Sequence, residues 1–329
     1  MSDSKEPVPA VSVLTPVYNV AQYLPQCLDS LQSQKLENIE FICINDGSTD
    51  NSLEILQSYA AKDSRFRIID KSNSGYGASM NLGIKAARGE YVGIVESDDF
   101  ASPNMFKKLY SYAKKHDCDL VKSNYFEYAG GRNRRIRAFH GFRYYKVFDP
   151  AENVRVLRVL PIIWTGLYRR QMLLNEEVWF NESPGASYQD ASFVFRAWIS
   201  SKRAALLPGS YLHYRVDNEA SSVKSSAKIY AVCDEHGMSE ACIRKDPKLW
   251  ETYAPTLNGI KFDGYRWNYN RIAFEYREGF VLRWVQEFRQ ARDEGTLKRE
   301  IFDPDSWRIV QELLEGDVPA FLEKYRNEL

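Results

Sequence analysis

The stretch Tyr91-Val92-Gly93-Ile94-Val95-Glu96-Ser97-Asp98-Asp99-Phe100 decides how this chain is read. A short apolar run makes a buried strand, and a knot of carboxylates follows it at once. Like charges side by side at the rim of a sheet cost free energy unless a cation sits among them. A hard divalent ion carrying a phosphorylated ligand meets that need. The alternative is an acidic strand-to-helix loop, with Ser102 as cap and Pro103 in the first turn of the next helix.

Working outward, the flanking sequence alternates strand and helix. Residues 11–15 read as a β-branched strand stopped by Pro16, and residues 39–44 as a second strand that breaks at Asn45-Asp46-Gly47-Ser48. Residues 66–70 form a third strand, 91–95 a fourth, and 119–122 begin a fifth. Helical spacing covers 21–34, with Tyr23, Leu24, Cys27, Leu28 and Leu31 on one face, then 50–62 behind a Ser48 or Thr49 cap, 78–87 and 103–116. Short connections between alternating strands and helices imply an α/β fold with a mostly parallel, doubly wound sheet and helices on both faces. Ligands of such sheets lie beyond the carboxyl ends of the strands. Thr15-Pro16, Asn45-Asp46-Gly47, the 73–77 loop and Glu96 to Asp99 all fall at those ends, so one cleft collects them.

The second half is less regular. Gly130-Gly131-Arg132-Asn133-Arg134-Arg135 reads as a basic turn, a hairpin tip or a mobile, solvated loop in preference to a phosphate clamp, 190–200 as a helix, and 204–207 and 211–215 as two further strands. From about 218 the chain is helical and charged. Residues 269–292 form an amphipathic stretch with Ile272, Phe280, Trp284, Val285 and Phe288 as a core-facing stripe; contact with a membrane surface is the alternative use. The expected organisation is a disordered tail over 1–10, an α/β domain over 11–217 and a mainly helical region over 218–329.

Composition narrows the class. The 329 residues carry 44 acidic and 44 basic side chains, so no global field favours nucleic acid. Five scattered cysteines without metal spacing, a polar N-terminus and no span-length apolar run point to a soluble, cytoplasmic protein, with the inner membrane face as its alternative setting.

Three ordered segments precede the acidic knot: Val13-Leu14-Thr15-Pro16-Val17-Tyr18-Asn19, Asn45-Asp46-Gly47-Ser48-Thr49-Asp50-Asn51-Ser52, and Gly83-Ile84-Lys85-Ala86-Ala87-Arg88-Gly89-Glu90-Tyr91. The set resembles the family 2 inverting glycosyltransferases of the GT-A fold, of bacterial polysaccharide type, strongly over 11–125 and more loosely to about 215. The resemblance implies a UDP-sugar donor, Mn²⁺ or Mg²⁺ as cofactor, and a glycan or lipid-linked saccharide as acceptor, with peripheral membrane contact through the C-terminal helices. It puts Thr15, Pro16, Tyr18 and Asn19 against the base and ribose, and Asp46 on the uracil imide. Asn73, Gly75 and Gly77 fall on the nucleotide loop, and Glu96, Ser97 and Asp98 at the donor. Two frames are open for the metal, Glu96 with Asp98 or Asp98 with Asp99; Asp98 belongs to both, His213 joins as a ligand, and Arg215 reaches the diphosphate. Asp190 matches the base position, held ionised by the start of its helix, and Trp164, Tyr188 and Gln189, with Gly185-Ala186, match the acceptor side. Three positions depart from the family pattern: Glu96 stands where Asp is common, Met80 where an arginine often precedes Asn81, and Gln189 where an acid precedes the base. They motivate a rival reading, a nucleotide-sugar-binding protein without activity. A nucleotidyltransferase is disfavoured because residues 15–19 contain neither glycine nor lysine.

Overall fold

The computed structural model describes residues 8–185, 187–218 and 229–329. The chain divides into two compact units, Met1–Asn153 with Val159–Glu219, and Val154–Arg158 with Ala220–Leu329.

The first unit holds β1 (Val11–Val17), α1 (Leu24–Gln32), β2 (Ile39–Asp46), α2 (Ser52–Ala60), β3 (Phe66–Lys71), α3 (Tyr76–Ala86), β4 (Tyr91–Ile94), β5 (Phe100–Ala101), α4 (Met105–Lys115), β6 (Leu120–Ala129), β7 (Arg132–Ile136), β8 (Val147–Phe148), β9 (Gly166–Arg169), α5 (Arg170–Asn175), α6 (Gln189–Ser200) and β10 (Ala204–Arg215). The strands make one sheet in the order β3-β2-β1-β4-β9-β6-β10-β5, with β7 on β6 and β8 on β10. From β3 to β4 all pairing is parallel. Beyond β4 the sheet is mixed: β9 runs antiparallel to both β4 and β6, while β10 is parallel to β6. Two antiparallel steps restore the original direction, so β6 and β10 end on the same rim as β1, β2 and β4.

Several boundaries differ from the sequence-based expectations. β1 does not stop at Pro16 but runs to Val17, still paired to β2. β4 pairs with β1 only as far as Leu14, so Pro16 sits where one edge is already free and a missing N–H is tolerated. The two late strands are one, β10, carried across bulges between Leu207 and Leu212. Ser48 and Thr49 do not cap α2: Ser48 Oγ accepts from Asn19 N (3.1 Å) and Thr49 N donates to Asn19 Oδ1 (2.7 Å), while Asp50 Oδ1 takes the Ser52 N–H. Asn19 adopts φ 49° to reach that turn.

The second unit holds α7 (Ala231–Ile243), α8 (Pro247–Arg271), α9 (Phe274–Asp293), α10 (Pro304–Glu315) and α11 (Val318–Lys324), with a short 3-10 turn at Val154–Arg158 beside α8. The stretch 269–292 is not one helix, because Ile272 and Ala273 are extended and separate α8 from α9. Ile272, Phe280, Trp284, Val285 and Phe288 are all buried, so the stripe is spent on this unit's own aromatic core. Lys261 is buried there as well, its Nζ shared between Glu240 and Glu287. Among the described residues no helix is long and apolar enough to cross a membrane.

Candidate active site

At the end of β2, Asp46 is buried and its carboxylate is heavily used. Oδ1 accepts from Ser74 N (2.9 Å) and from the Lys71 ammonium, and Oδ2 accepts from Gly75 N (3.0 Å). A carboxylate has about four acceptor positions, so Oδ2 keeps room for one more donor. Thr15 lies on β1 with its hydroxyl buried and unpartnered, Tyr18 is 54% exposed, and Asn73 is exposed at the loop tip. The space beside Gly75 and Gly77 that a side chain would fill is taken by the chain itself. A Cβ at Gly77 would stand 1.9 Å from the Asn181 carbonyl oxygen, and one at Gly75, where φ is +94°, would press on Ser183 O and Gly185 N at 3.1 Å. These glycines admit the chain's own 181–185 segment. Asn81 fixes the same segment: its amide donates to Phe180 O (3.0 Å) and Glu182 Oε1 (2.9 Å) and accepts from Phe180 N (2.8 Å). Met80 is fully buried, so an apolar side chain there is dictated by packing.

The acidic knot follows β4. Asp99 N donates to Glu96 O (3.0 Å) and closes the turn, with Ser97 buried inside it. Tyr76 Oη donates to Glu96 Oε1 (2.7 Å). Burial, reinforced by the charges of Asp98 and Asp190, still pushes the Glu96 carboxyl up to about 8. Asp98 Oδ2 accepts from Asn218 Nδ2 (2.8 Å). Asp99 is 1% exposed; Oδ1 accepts from Arg215 N (2.8 Å), whereas Oδ2 is buried with no partner. Burial and the Asp98 charge raise the Asp99 carboxyl well above the usual range.

Asp190 stands in the first turn of α6, after Tyr188 in the left-handed region at φ 61°. The helix start does not hold its carboxyl low. Burial outweighs the N–H groups of Asp190 and Ala191 and lifts it to about 6. Its charge acts on Glu96, Tyr76, Tyr168 and Tyr214, which puts Asp190 within electrostatic reach of the acidic knot.

Other expected ligands are tied up. His213 does not face a metal. Its ring is stacked between Phe100 (4.3 Å) and Phe126 (4.9 Å), Nε2 bonds Ser102 Oγ (3.0 Å) and Nδ1 bonds Asn133 Oδ1 (2.7 Å), so neither nitrogen is free and Ser102 is no helix cap. Arg215 does not reach outward either. Nε donates to Asp98 O (2.8 Å), another nitrogen donates to Gln26, and the guanidinium lies between the Tyr23 and Tyr128 rings at 4.7 and 4.9 Å. It braces the knot from behind. Gln189 is 2% exposed and bonds Ser183, Gly185 and Ser187, bracing the loop before Asp190 rather than offering itself to an acceptor. Trp164 is 8% exposed, stacked on Tyr214 (5.1 Å) and edge-on to Tyr125 (4.8 Å), a packed ring rather than an open sugar platform. Its turn is held by buried Lys122, whose Nζ donates to Ile162 O and to Tyr168 Oη (3.0 Å). Ala186 lies outside the described residues.

Tyr76 and Tyr214 were not anticipated. Tyr76 is hidden in sequence between two glycines. Alternation offers the signal for Tyr214: His213 and Arg215 share one face of β10, so Tyr214 takes the other, where the carboxylates act on it.

No three His, Cys, Asp or Glu side chains among the described residues form a ready cation cage. The residues nonetheless fit a hard divalent ion. Asp99 Oδ2 is an orphaned buried acceptor, and the crowded carboxylates are what such an ion relieves. Ions of this kind take one or two carboxylates and fill the remaining positions with phosphate oxygens and water.

Carboxylates gathered beyond the carboxyl end of a strand stand where sheets of this kind bind their ligands. The glycosyl transferase family 2 profile matches residues 12–176. The chain is 30% identical over 252 residues to the uncharacterized glycosyltransferase EpsJ of Bacillus subtilis (strain 168), covering 71% of this chain and 73% of EpsJ. The protein therefore belongs to glycosyl transferase family 2 and is a glycosyltransferase. Two solved structures share its fold. TarS residues 1–349 of S. aureus in complex with UDP-GlcNAc match with a TM-score of 0.57 and 19% identity, over 93% of this chain and 91% of that one. The mannosyltransferase PcManGT of Pyrobaculum calidifontis, in complex with GDP-Man and Mn²⁺, matches with a TM-score of 0.53 and 14% identity, over 97% and 88%.

Proposed function

We propose that the protein is a metal-dependent inverting transferase that moves a hexose or N-acetylhexosamine from a UDP-sugar to a hydroxyl of a glycan, forming a β-linkage, in bacterial surface-polysaccharide assembly. The observation that carries this reading is the acidic knot after β4, with its orphaned buried Asp99 Oδ2, within electrostatic reach of Asp190 at the start of α6. Asp190 takes the proton of the acceptor hydroxyl as that oxygen attacks the anomeric carbon and the bond to the diphosphate breaks. A carboxyl raised to about 6 is a stronger base than an exposed aspartate and is still ionised at neutral pH. Asp98, with Asp99 behind it, would hold the divalent ion. That ion, when bound, offsets charge growing on the departing diphosphate. Asp46 Oδ2, with its remaining acceptor position, suits the uracil imide N–H, beside Thr15 and Pro16 of β1.

The bound UDP-GlcNAc of TarS supports a UDP-sugar, and the Mn²⁺ of PcManGT supports the metal. The reading of an inactive sugar-nucleotide binder loses two of its motives, because packing accounts for Met80 and loop bracing accounts for Gln189. Thermal shift with UDP- and GDP-sugars in the presence of Mn²⁺ tests the donor class. A UDP-sugar raises the melting temperature and a GDP-sugar does not. A shift with GDP-sugars alone overturns the UDP assignment.

A further inference from the structure

The β6–β7 hairpin lies in the first unit and ends on the rim that carries the site. Strand register fixes which side chains share a face. Glu127 pairs with Arg134 on one side and with Tyr214 on the other, and Tyr125 pairs with Ile136 and Leu212. Residues opposite one another in a ladder project to the same face, and so do residues two apart along a strand. Tyr125, Glu127, Tyr214, Arg134 and Arg132 therefore share one face. At its inner end Tyr214 feels the charges of Asp99, Asp98 and Asp190. In its middle Trp164 joins Tyr214 to Tyr125. At its outer end Arg134 pairs with Glu127 while its side chain stays 74% exposed, and Arg132 is exposed beyond it. The opposite face holds the ribbon in place: Arg135 donates to Pro208 O (2.6 Å) and to Ser210 Oγ (3.1 Å), and Asn133 bonds His213.

This face thus runs from Tyr214 near the carboxylates, across packed rings, to Arg134, which Glu127 pairs, and to exposed Arg132 beyond it. One positive charge is left over at its outer end, on a side chain whose planar fork suits phosphate. We infer that Arg132 and Arg134 bind a phosphate group carried by the saccharide acceptor, with Tyr214 beside the sugar that is to be extended, an inference that rests on the transferase reading. A lipid surface fits this face less well. Its aromatic rings are packed inward (Tyr125 and Trp164 are 5% and 8% exposed), whereas an interfacial anchor pushes such rings outward.

The test uses the full chain saturated with UDP and Mg²⁺, so that the donor site is filled. Two probes are titrated by calorimetry: pentamannosyl 6-phosphate, and the same pentasaccharide without its phosphate. The phosphorylated probe should bind at least about tenfold more tightly, the worth of a charge-assisted contact. The double variant Arg132→Glu/Arg134→Glu should erase the difference, and Arg132→Lys/Arg134→Lys should restore part of it. Equal binding of the two probes, or a phosphate preference that survives charge reversal, overturns the inference. So does arginine-dependent binding to phosphatidylglycerol vesicles without a preference between the saccharides. UDP binding by the unmodified protein is measured first; its absence defeats the transferase reading itself and is thereby told apart from failure of the arginine site alone.

Discussion

At the end of β2, Asp46 accepts from two backbone N–H groups and an ammonium; at the end of β4, Asp99 accepts from one N–H and leaves its other oxygen buried and alone. Both are aspartates at strand ends on the same rim. Around Asp46 the loop after β3 is folded onto the carboxylate before any ligand arrives. Around Asp99 the charges of Asp98 and Glu96 add to the cost of burial, and the opposing charge of Arg215 does not offset them. The difference separates a rim region whose bonds are made on folding from one that holds unrelieved repulsion until a cation, a proton or a ligand reaches it. Substitutions in the first should cost stability as well as uracil binding, and those in the second should cost function alone.

The largest effect is expected at Asp190. Asp190→Asn should lower kcat by about a thousandfold, within the range of a lost general base, with the UDP-sugar dissociation constant kept within about twofold. Undiminished turnover would remove the base assignment. In the unmodified enzyme kcat/KM should rise with pH through about 6, because Asp190 works in its ionised form and its carboxyl is raised to that value. Below it the rate should fall about tenfold per pH unit, and the limb should vanish in the asparagine variant. A smaller loss is expected for Asp98→Ala, whose Mn²⁺-dependent UDP affinity should drop about tenfold or more. Affinity that stays metal-dependent and unaltered would move the ion elsewhere. The smallest effect belongs to the other side of the comparison. Asp46→Asn should reduce the unfolding free energy by about 1–3 kcal/mol through the lost Lys71 pair and unpaired loop donors, read as an earlier urea midpoint. If the variant is as stable as the parent, the contrast between the two regions fails.

The parallel half was legible because its signals are local: β-branched runs, turn residues and strand-end motifs fall in the order in which the strands are used. The places of the acidic knot, at a strand end, and of Asp190, at a helix start, were legible for the same reason. The roles given to His213, Arg215, Gln189 and Trp164 were not, because each depends on contacts far away in sequence. Arg215 is held by Gln26, Tyr23 and Tyr128, and His213 by Phe100, Phe126 and Asn133. A basic or aromatic side chain at a strand end looks available until its neighbours across the sheet are known. The helix start beside Asp190 likewise predicted a low carboxyl, but the burial that raises it is a property of the whole fold.

Gly77 leaves no room for even one added carbon beside the Asn181 backbone. The loop that presents Asp190 therefore takes its position from a helix more than a hundred residues earlier. Anyone grafting that loop from a relative, to change what the enzyme modifies, must transplant the opening turn of α3 along with it. Loop and helix are a matched pair, inherited together or not at all.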